Sequence, residues 1–196
     1  MWNTKTPGIP DEFFDRDEGV PITKEEVRTV QISKARLKPG MIVYDIGCGS
    51  GSISVEAALQ IEDSGHVHAV DNDVKAIELT KKNLAKFGVG NVSVINKDAN
   101  QAIFELPEAD AIFIGGTGKD TKEIVKLCQD KLGQGGRIVI GMILIETIFS
   151  VLSLIQELSF NSIDITQVTI SKSRKTSTGT MMLARNPVTI LSATKS

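Results

Sequence analysis

The chain has 196 residues, 41% of them hydrophobic and 23% charged, with a formal net charge of −2. That length suits one domain able to bury about 70% of its unfolded surface without cross-links, and the charge balance gives no sign of a general nucleic-acid-binding surface. Cys48, Cys128, His66 and His68 lack metal-ligand spacing, no signal-peptide pattern opens the sequence, and no apolar run approaches the ~20 residues of a membrane span, so the expectation is a cytoplasmic protein with reduced thiols, no metal and no membrane contact.

Met1 to Pro21 is rich in proline, glycine and acidic residues around Phe13-Phe14 and reads as an irregular arm placed to lie over a cleft. Thr23-Lys24-Glu25-Glu26 then opens a helix. Thr23 and Glu26 have capping-box spacing, and Val27 and Val30 start its apolar stripe. Lys38-Pro39-Gly40 ends this segment.

The apolar run Met41 to Ile46 predicts a buried strand, broken by Gly47-Cys48-Gly49-Ser50-Gly51 and followed by a helical pattern from about Ile53. Glycine tolerates positive φ and lets a ligand approach the backbone, so this loop is a candidate cofactor site at a helix N-terminus. Gly-x-Gly-x-Gly differs from the dinucleotide spacing Gly-x-Gly-x-x-Gly. Asp45, at the strand's end, would repel a pyrophosphate and suits an ammonium group.

Strands and helices alternate from there. His66 to Val70 predicts a second strand ending in Asp71-Asn72-Asp73; the next helix carries Ile77, Leu84 and Phe87 on one face and stops at Gly88. Val92 to Asn96 predicts a third strand, followed by Lys97-Asp98-Ala99, and Asp110 to Ile114 a fourth, followed by Gly115-Gly116-Thr117-Gly118. This last stretch is no phosphate loop, because Phe113 stands where the first glycine is required and Lys119 precedes Asp120 instead of Ser or Thr. A helix through Ile124, Leu127, Cys128 and Leu132, a fifth strand from Arg137 to Met142, and a helix with Ile148, Val151, Leu152, Ile155 and Leu158 inward come next. Ser162 to Ile170 and Met181 to Leu191 read as strands, joined by a basic, hydroxyl-rich loop from Ser171 to Thr180.

Five strands alternating with helices imply a parallel α/β sheet with right-handed crossovers and ligands at the strands' carboxyl ends; the terminal strands suggest an antiparallel edge. Gly47 to Gly51, Asp71, Asp98-Ala99 and Gly115-Gly116 then share one rim. Asp71, about twenty residues beyond the glycine loop, is placed to accept hydrogen bonds from ribose hydroxyls, leaving the helix N-cap to Asn72 or Asp73. Lys172, Arg174, Lys175 and Arg185 form either a solvated edge or a cluster suited to a substrate bearing several carboxylates.

Asp45-Ile46-Gly47-Cys48-Gly49-Ser50-Gly51 resembles motif I of the class I S-adenosylmethionine (SAM) methyltransferases. Three further segments, Gly19 to Arg28, Ile112 to Gly118 and Gly179 to Val188, resemble the decarboxylating cobalt-precorrin-6B (carbon-15) methyltransferases of cobalamin biosynthesis, over nearly the whole chain. The resemblance implies a Rossmann-like, mostly parallel seven-stranded sheet with an antiparallel C-terminal edge and helices on both faces, in a single domain spanning residues 1–196 with 1–21 as the arm. It also implies methylation of ring carbon 15 with loss of the ring C acetate carboxyl, a homotetramer, and SAM contacts from Thr23, Gly47, Cys48, Gly49, Ser50, Gly51, Asp71 and Ala99. Substrate contacts are expected from Gly116, Lys172, Arg174 and Arg185; no catalytic acid or base is evident. The rival readings are a tRNA (adenine) methyltransferase, which an acidic chain without a basic face fits poorly, and a SAM-binding module without catalysis.

Overall fold

In the computed structural model, which describes residue 2 and residues 4–158 and 160–196, the apolar run forms β1 (Ile42–Ile46). It pairs in parallel with β2 (His66–Asp71) on one side and β4 (Ala109–Ile114) on the other. A strand covered on both faces loses its polar alternation, which is why this stretch reads as continuously apolar apart from Asp45. β3 (Val92–Asn96) extends the sheet beyond β2, and β5 (Leu132–Met142) lies beside β4. β9 (Val188–Lys195) runs antiparallel between β5 and β6 (Phe160–Val168), giving the order β3-β2-β1-β4-β5-β9-β6 and placing the expected antiparallel pairing of the C-terminal strands at that end of the sheet.

Six α-helices among the described residues cover the two faces. On one side α1 (Glu25–Ala35) and α2 (Ser52–Ile61) bury Val27, Ile32, Ile53 and Ile61 against Val43, Phe113 and Val139. On the other, α4 (Ala99–Glu105), α5 (Thr121–Lys131) and α6 (Ile145–Glu157) bury Ile103, Val125, Cys128, Leu154 and Ile155 against Ile112, Ile138 and Leu191. α3 (Val74–Phe87) ends at Gly88, whose φ of 68° closes the helix in the left-handed conformation.

The arm is anchored firmly. Ile9 and Phe14 are buried with Leu84 and Phe87, and the Phe14 and Phe87 rings lie 4.8 Å apart. Gly8 and Ile9 donate their N–H groups to Glu56 at 2.9 and 3.0 Å. The expectations for Met1 and Asn3 fall outside the described residues.

Three local expectations are corrected and one helix is added. The Thr23–Glu26 capping box does not form. Asp11, reaching in from the arm, accepts the Glu25 N–H at 2.9 Å, and Glu26 instead meets Lys172 at 2.7 Å; an ionised carboxylate is a stronger acceptor than a hydroxyl and displaces it. Residues 171–180 are not a loop but a ribbon of β7 (Ser171–Thr176) and β8 (Gly179–Ala184), separate from the main sheet. The single strand expected from Met181 to Leu191 is interrupted at Pro187, which has no N–H for a ladder. The short helix α4 was not anticipated.

Candidate active site

The ends of β1, β4 and β5, the entry to α1 and the start of α6 enclose a cavity of about 460 Å³. Thr23, Gly47, Cys48, Gly49 and Gly116 of the expected site residues line it, together with Lys24, Val27, Gln31 and Asp45. Apolar side chains, among them Ile53, Met142, Leu144 and Val188, make up much of the remaining wall.

The glycine loop is folded around its own hydrogen bonds. The N–H groups of Gly47 and Cys48 donate to the Val70 carbonyl at 2.9 and 3.1 Å, and that of Gly49 donates to Asp71 Oδ2 at 2.9 Å. Ser50 donates to the Pro21 carbonyl at 3.2 Å and Gly51 to the Cys48 carbonyl at 2.8 Å. Every backbone N–H from Gly47 to Gly51 is thus engaged within the protein, so a pyrophosphate would find no free amide in this loop, in agreement with the glycine spacing. The loop also requires glycine sterically. Gly47 has φ 77°, and a Cβ on it would stand 1.9 Å from the Gly115 carbonyl oxygen. From the far side α3 holds the loop, with Thr80 donating to the Gly49 carbonyl at 2.9 Å and Asn83 to the Ser50 carbonyl at 2.8 Å.

Asp45 supplies the negative end of the site. It is 2% exposed and accepts a hydrogen bond from the Ser54 hydroxyl. Burial, with a further contribution from Asp71, raises its pKa to about 6 despite that bond. A buried carboxylate so incompletely compensated suits a cationic ligand. Cys48, beside it, has its thiol pKa pushed up by burial and then by Asp45, which keeps it protonated and unreactive.

Asp71 and Ala99 lie at the same carboxyl rim but outside the cavity lining. Asp71 is held in place by accepting from Gly49 N at 2.9 Å and Asp73 N at 3.0 Å, while Asp73 caps α3 as expected. Ala99 opens α4, whose N-cap is Asp98; the Asp98 carboxylate accepts from Asn100 N at 2.9 Å and is therefore engaged structurally. Ser50 and Gly51, the last residues of the loop, are buried and lie outside the cavity lining.

The basic residues are not gathered into the cavity. Lys172 pairs with Glu25 at 2.9 Å and Glu26 at 2.7 Å, Arg185 stands 3.8 Å from Asp11, and Arg174 is exposed on β7. Sequence reasoning missed Lys24 and Gln31. Thr23, Val27 and Gln31 recur every four residues, so the polar amide at the third position of an apolar helical stripe was the available signal.

A parallel sheet with one reversed strand inserted before the last, a glycine loop closing the central strand and an aspartate ending its neighbour together define a class I methyltransferase fold. The chain matches the family model described as the precorrin methyltransferase domain over residues 12–195 and belongs to that family. A protein of Saccharolobus solfataricus named a probable cobalt-precorrin-6B C(15)-methyltransferase (decarboxylating) is 47% identical, the match covering 99% of this chain and 98% of that protein. Among solved structures, a precorrin-8w decarboxylase of Methanobacterium thermoautotrophicum superposes with a TM-score of 0.88 at 35% identity, covering 94% of this chain and 98% of the other. A precorrin-6Y C5,15-methyltransferase of Geobacter metallireducens gives 0.89 at 30% identity, covering 97% and 98%.

Proposed function

We propose that this chain methylates ring carbon 15 of a corrin precursor, cobalt-precorrin-6B, and releases the ring C acetate carboxyl as carbon dioxide, with SAM as methyl donor. The 47% identity along almost the full length of a protein bearing that name carries the reading. The tRNA and non-catalytic readings are not favoured, because full-length relatives carry corrin-methyltransferase names.

When bound, SAM supplies an electrophilic methyl group on a sulfonium. In this reading Asp45 would hold its ammonium group, with Thr23, Gly47, Cys48 and Gly49 forming the surrounding wall and Ser50 and Gly51 shaping the loop behind it. Asp71 would accept from the ribose hydroxyls, and the Ala99 backbone would border the adenine. Gly116, without a side chain, leaves room for the macrocycle at the cavity mouth. The apolar wall excludes water, so the chain aligns an electron-rich ring carbon with the methyl group in a dry site. The ring carbon would take the methyl group as the sulfonium releases it, and the electron pair left behind by carbon dioxide would offset the positive charge the methyl group brings, so that any proton gained at the former acetate carbon is one lost elsewhere from the macrocycle. The titratable groups lining the cavity are Lys24, Asp45 and Cys48, an arrangement that favours positioning over acid–base catalysis.

We also read the protein as cytoplasmic and homotetrameric, with neither nucleic acid nor membrane as partner. No helix among the described residues is long and apolar enough to cross a membrane. Ile163 and Ile165 on β6 and Met181, Met182 and Leu183 on β8 expose apolar area suited to assembly. Light scattering should give four times the 21.2 kDa chain mass, and a monomeric mass would refute the assembly. For the reaction, anaerobic incubation with SAM and cobalt-precorrin-6B should yield a corrinoid with one methyl gained and one carbon dioxide lost, read by mass spectrometry. An unchanged corrinoid in the presence of demonstrated SAM binding would refute the substrate.

A further inference from the structure

Three cations from three separate segments converge on one buried oxygen. Arg16 from the arm, Lys24 at the entry to α1 and Arg185 from the β8–β9 connection stand 3.7, 3.8 and 3.8 Å from Asp11 Oδ2. All three lie beyond ordinary hydrogen-bond distance, and Oδ2 has no hydrogen-bond partner among the described residues. The other oxygen of Asp11 is already engaged by Glu25 N at 2.9 Å and Arg28 at 3.4 Å.

Of the neighbouring carboxylates, Glu25 and Glu26 hold Lys172, and Glu56 holds Arg28 at 2.6 Å. Asp17 lines a cavity beside Arg16 but makes no ion pair among the described residues, so Arg16, Lys24 and Arg185 share Asp11 as their carboxylate partner within 3.8 Å. Lys24 is held below the usual lysine range, first by burial and then, against the pull of Asp11, by Arg16, Arg185 and Arg28. Like charges held this close call for an anion to bridge them.

The position of the cluster says which anion. Lys24 lines the central cavity and also an adjoining one of about 370 Å³, which Arg16, Asp17, Pro21, Ile22 and Ser50 share; the Ser50 hydroxyl is buried without a partner. Lys24 thus joins the central cavity to the one that Arg16 lines, and the side chains of Arg16, Lys24 and Arg185 keep 51, 37 and 34% of their surface open. A tetrapyrrole is chemically similar around its rim, so an apolar cavity alone cannot decide which of its bridging carbons faces the methyl donor. Peripheral carboxylates are the features that differ from one rotation to the next.

Resting on the corrin reading above, we propose that Arg16, Lys24 and Arg185 form the docking site for a carboxylate side chain of the tetrapyrrole and so fix its rotation over the cavity. Asp11 is the pivot that gathers the three cations and is itself too buried to meet the ligand.

Anaerobic absorbance titration with cobalt-precorrin-6B tests this on the wild type, Arg16→Gln, Lys24→Gln, the double variant and Lys24→Arg. SAM binding is followed separately by calorimetry. Each single substitution should raise the corrin Kd ~10-fold and the double variant further, with SAM affinity retained by Arg16→Gln. Lys24→Arg should recover most of the loss. In turnover kcat/KM for the corrin should fall with its affinity, and kcat should fall as well, because a corrin free to rotate also binds with the wrong carbon at the methyl donor, while the KM for SAM is kept by Arg16→Gln. A folded double variant that binds the corrin as tightly as the wild type overturns the docking site and leaves the corrin reading standing. A wild type that binds SAM but not the corrin removes both.

Discussion

Arg28 ties the arm to the body of the protein, and its removal gives a measurable link between folding and the site. The side chain is fully buried; Nε donates to Glu56 at 2.6 Å, Nη1 donates to Asp11 at 3.4 Å and to the Thr23 carbonyl, and Nη2 donates to the Ile9 carbonyl. Its guanidinium also lies 4.7 Å from the centre of the Phe14 ring. Arg28→Met keeps the stem and deletes the charge, leaving Glu56 and Asp11 as buried carboxylates without this partner. Breaking a buried ion pair from one side costs about 3–5 kcal/mol. The two stripped carbonyls would add about 1–3 kcal/mol each if they stayed dry, but water entering beneath the loosened arm offsets part of that. A loss of about 4 kcal/mol is expected, equivalent to about 8–16 °C in Tm for a chain of this size. Urea denaturation followed by circular dichroism reads the first quantity and calorimetry the second. Arg28→Met/Glu56→Gln should recover part of the loss, because it removes one stranded charge. Because Arg28 also holds the backbone at Thr23, SAM should bind more weakly to the folded fraction of the single variant. A loss below about 1 kcal/mol would refute the account of the arm as an ion-paired clamp.

Three further outcomes follow from the site. The Asp45 pKa is raised to about 6 from 3.8, so its carboxylate is charged above about pH 6. SAM affinity should therefore fall as pH drops from 7 to 5, by up to ~10-fold per unit once below the folded pKa, and Asp45→Asn should flatten the calorimetric profile. The sign reverses for the ligand-free protein: a raised carboxyl pKa contributes stability that is present below pH 3.8 and lost as pH rises to about 6, which urea midpoints at pH 4 and 7 can read for this residue by comparison with Asp45→Asn. Gly47→Ala, whose Cβ would stand 1.9 Å from a backbone oxygen, should destabilise by more than about 3 kcal/mol, since rigid backbone must move. Gly116→Ala, with its nearest neighbour at 3.9 Å, should cost only about 1–2 kcal/mol for its φ of 65°; thermal melts with equal Tm for the two would refute the steric argument. Asp71→Asn should weaken SAM binding ~10-fold while leaving corrin binding unchanged, and unaltered calorimetric affinity would remove Asp71 from the site.

The parts of the fold legible in the sequence were those whose signal is local and strong. β1 and its loop announce themselves by a buried apolar run meeting three glycines, and α3 by a stripe ending at Gly88. The short helix α4 was missed because seven residues carry too few buried positions, Ala102 and Ile103, to show a period. β7 and the first residues of β8 were missed for the opposite reason: with nearly every residue exposed, neither strand has the in-out alternation that marks a sheet with a buried face. The cap on α1 was unreadable because it comes from Asp11, fourteen residues upstream. A hydroxyl at Thr23 and a glutamate at Glu26 satisfy the local rule, but a buried carboxylate brought in by tertiary packing overrides it. The same packing gave Lys24 its place at the site, which no local pattern assigns.

One element spans both halves of the site. α1 precedes β1 in the chain, yet it packs against β4, β5 and β9. Its lead-in turns back across the central loop, so that the Pro21 carbonyl receives the Ser50 N–H and would stand 2.8 Å from a Cβ on Gly49. Thr23 and Lys24 therefore face the half of the cavity beside the glycine loop, while Gln31, two turns on, faces the half formed by β5. There Gly141 makes room for it: a Cβ at that position would lie 2.4 Å from Gln31 Nε2. Gln31 is 4% exposed, and its Oε1 has no partner among the described residues. An unpaired buried amide costs about 1–3 kcal/mol, and an apolar residue at the same place would continue the stripe begun by Val27. In the proposed reading, a helix whose lead-in borders the cofactor and whose second turn keeps an unsatisfied polar group over the substrate has given up stability where the two ligands would meet. The sheet fixes where the strand ends lie, and α1 with its arm fixes how far apart the two halves of the cavity stand.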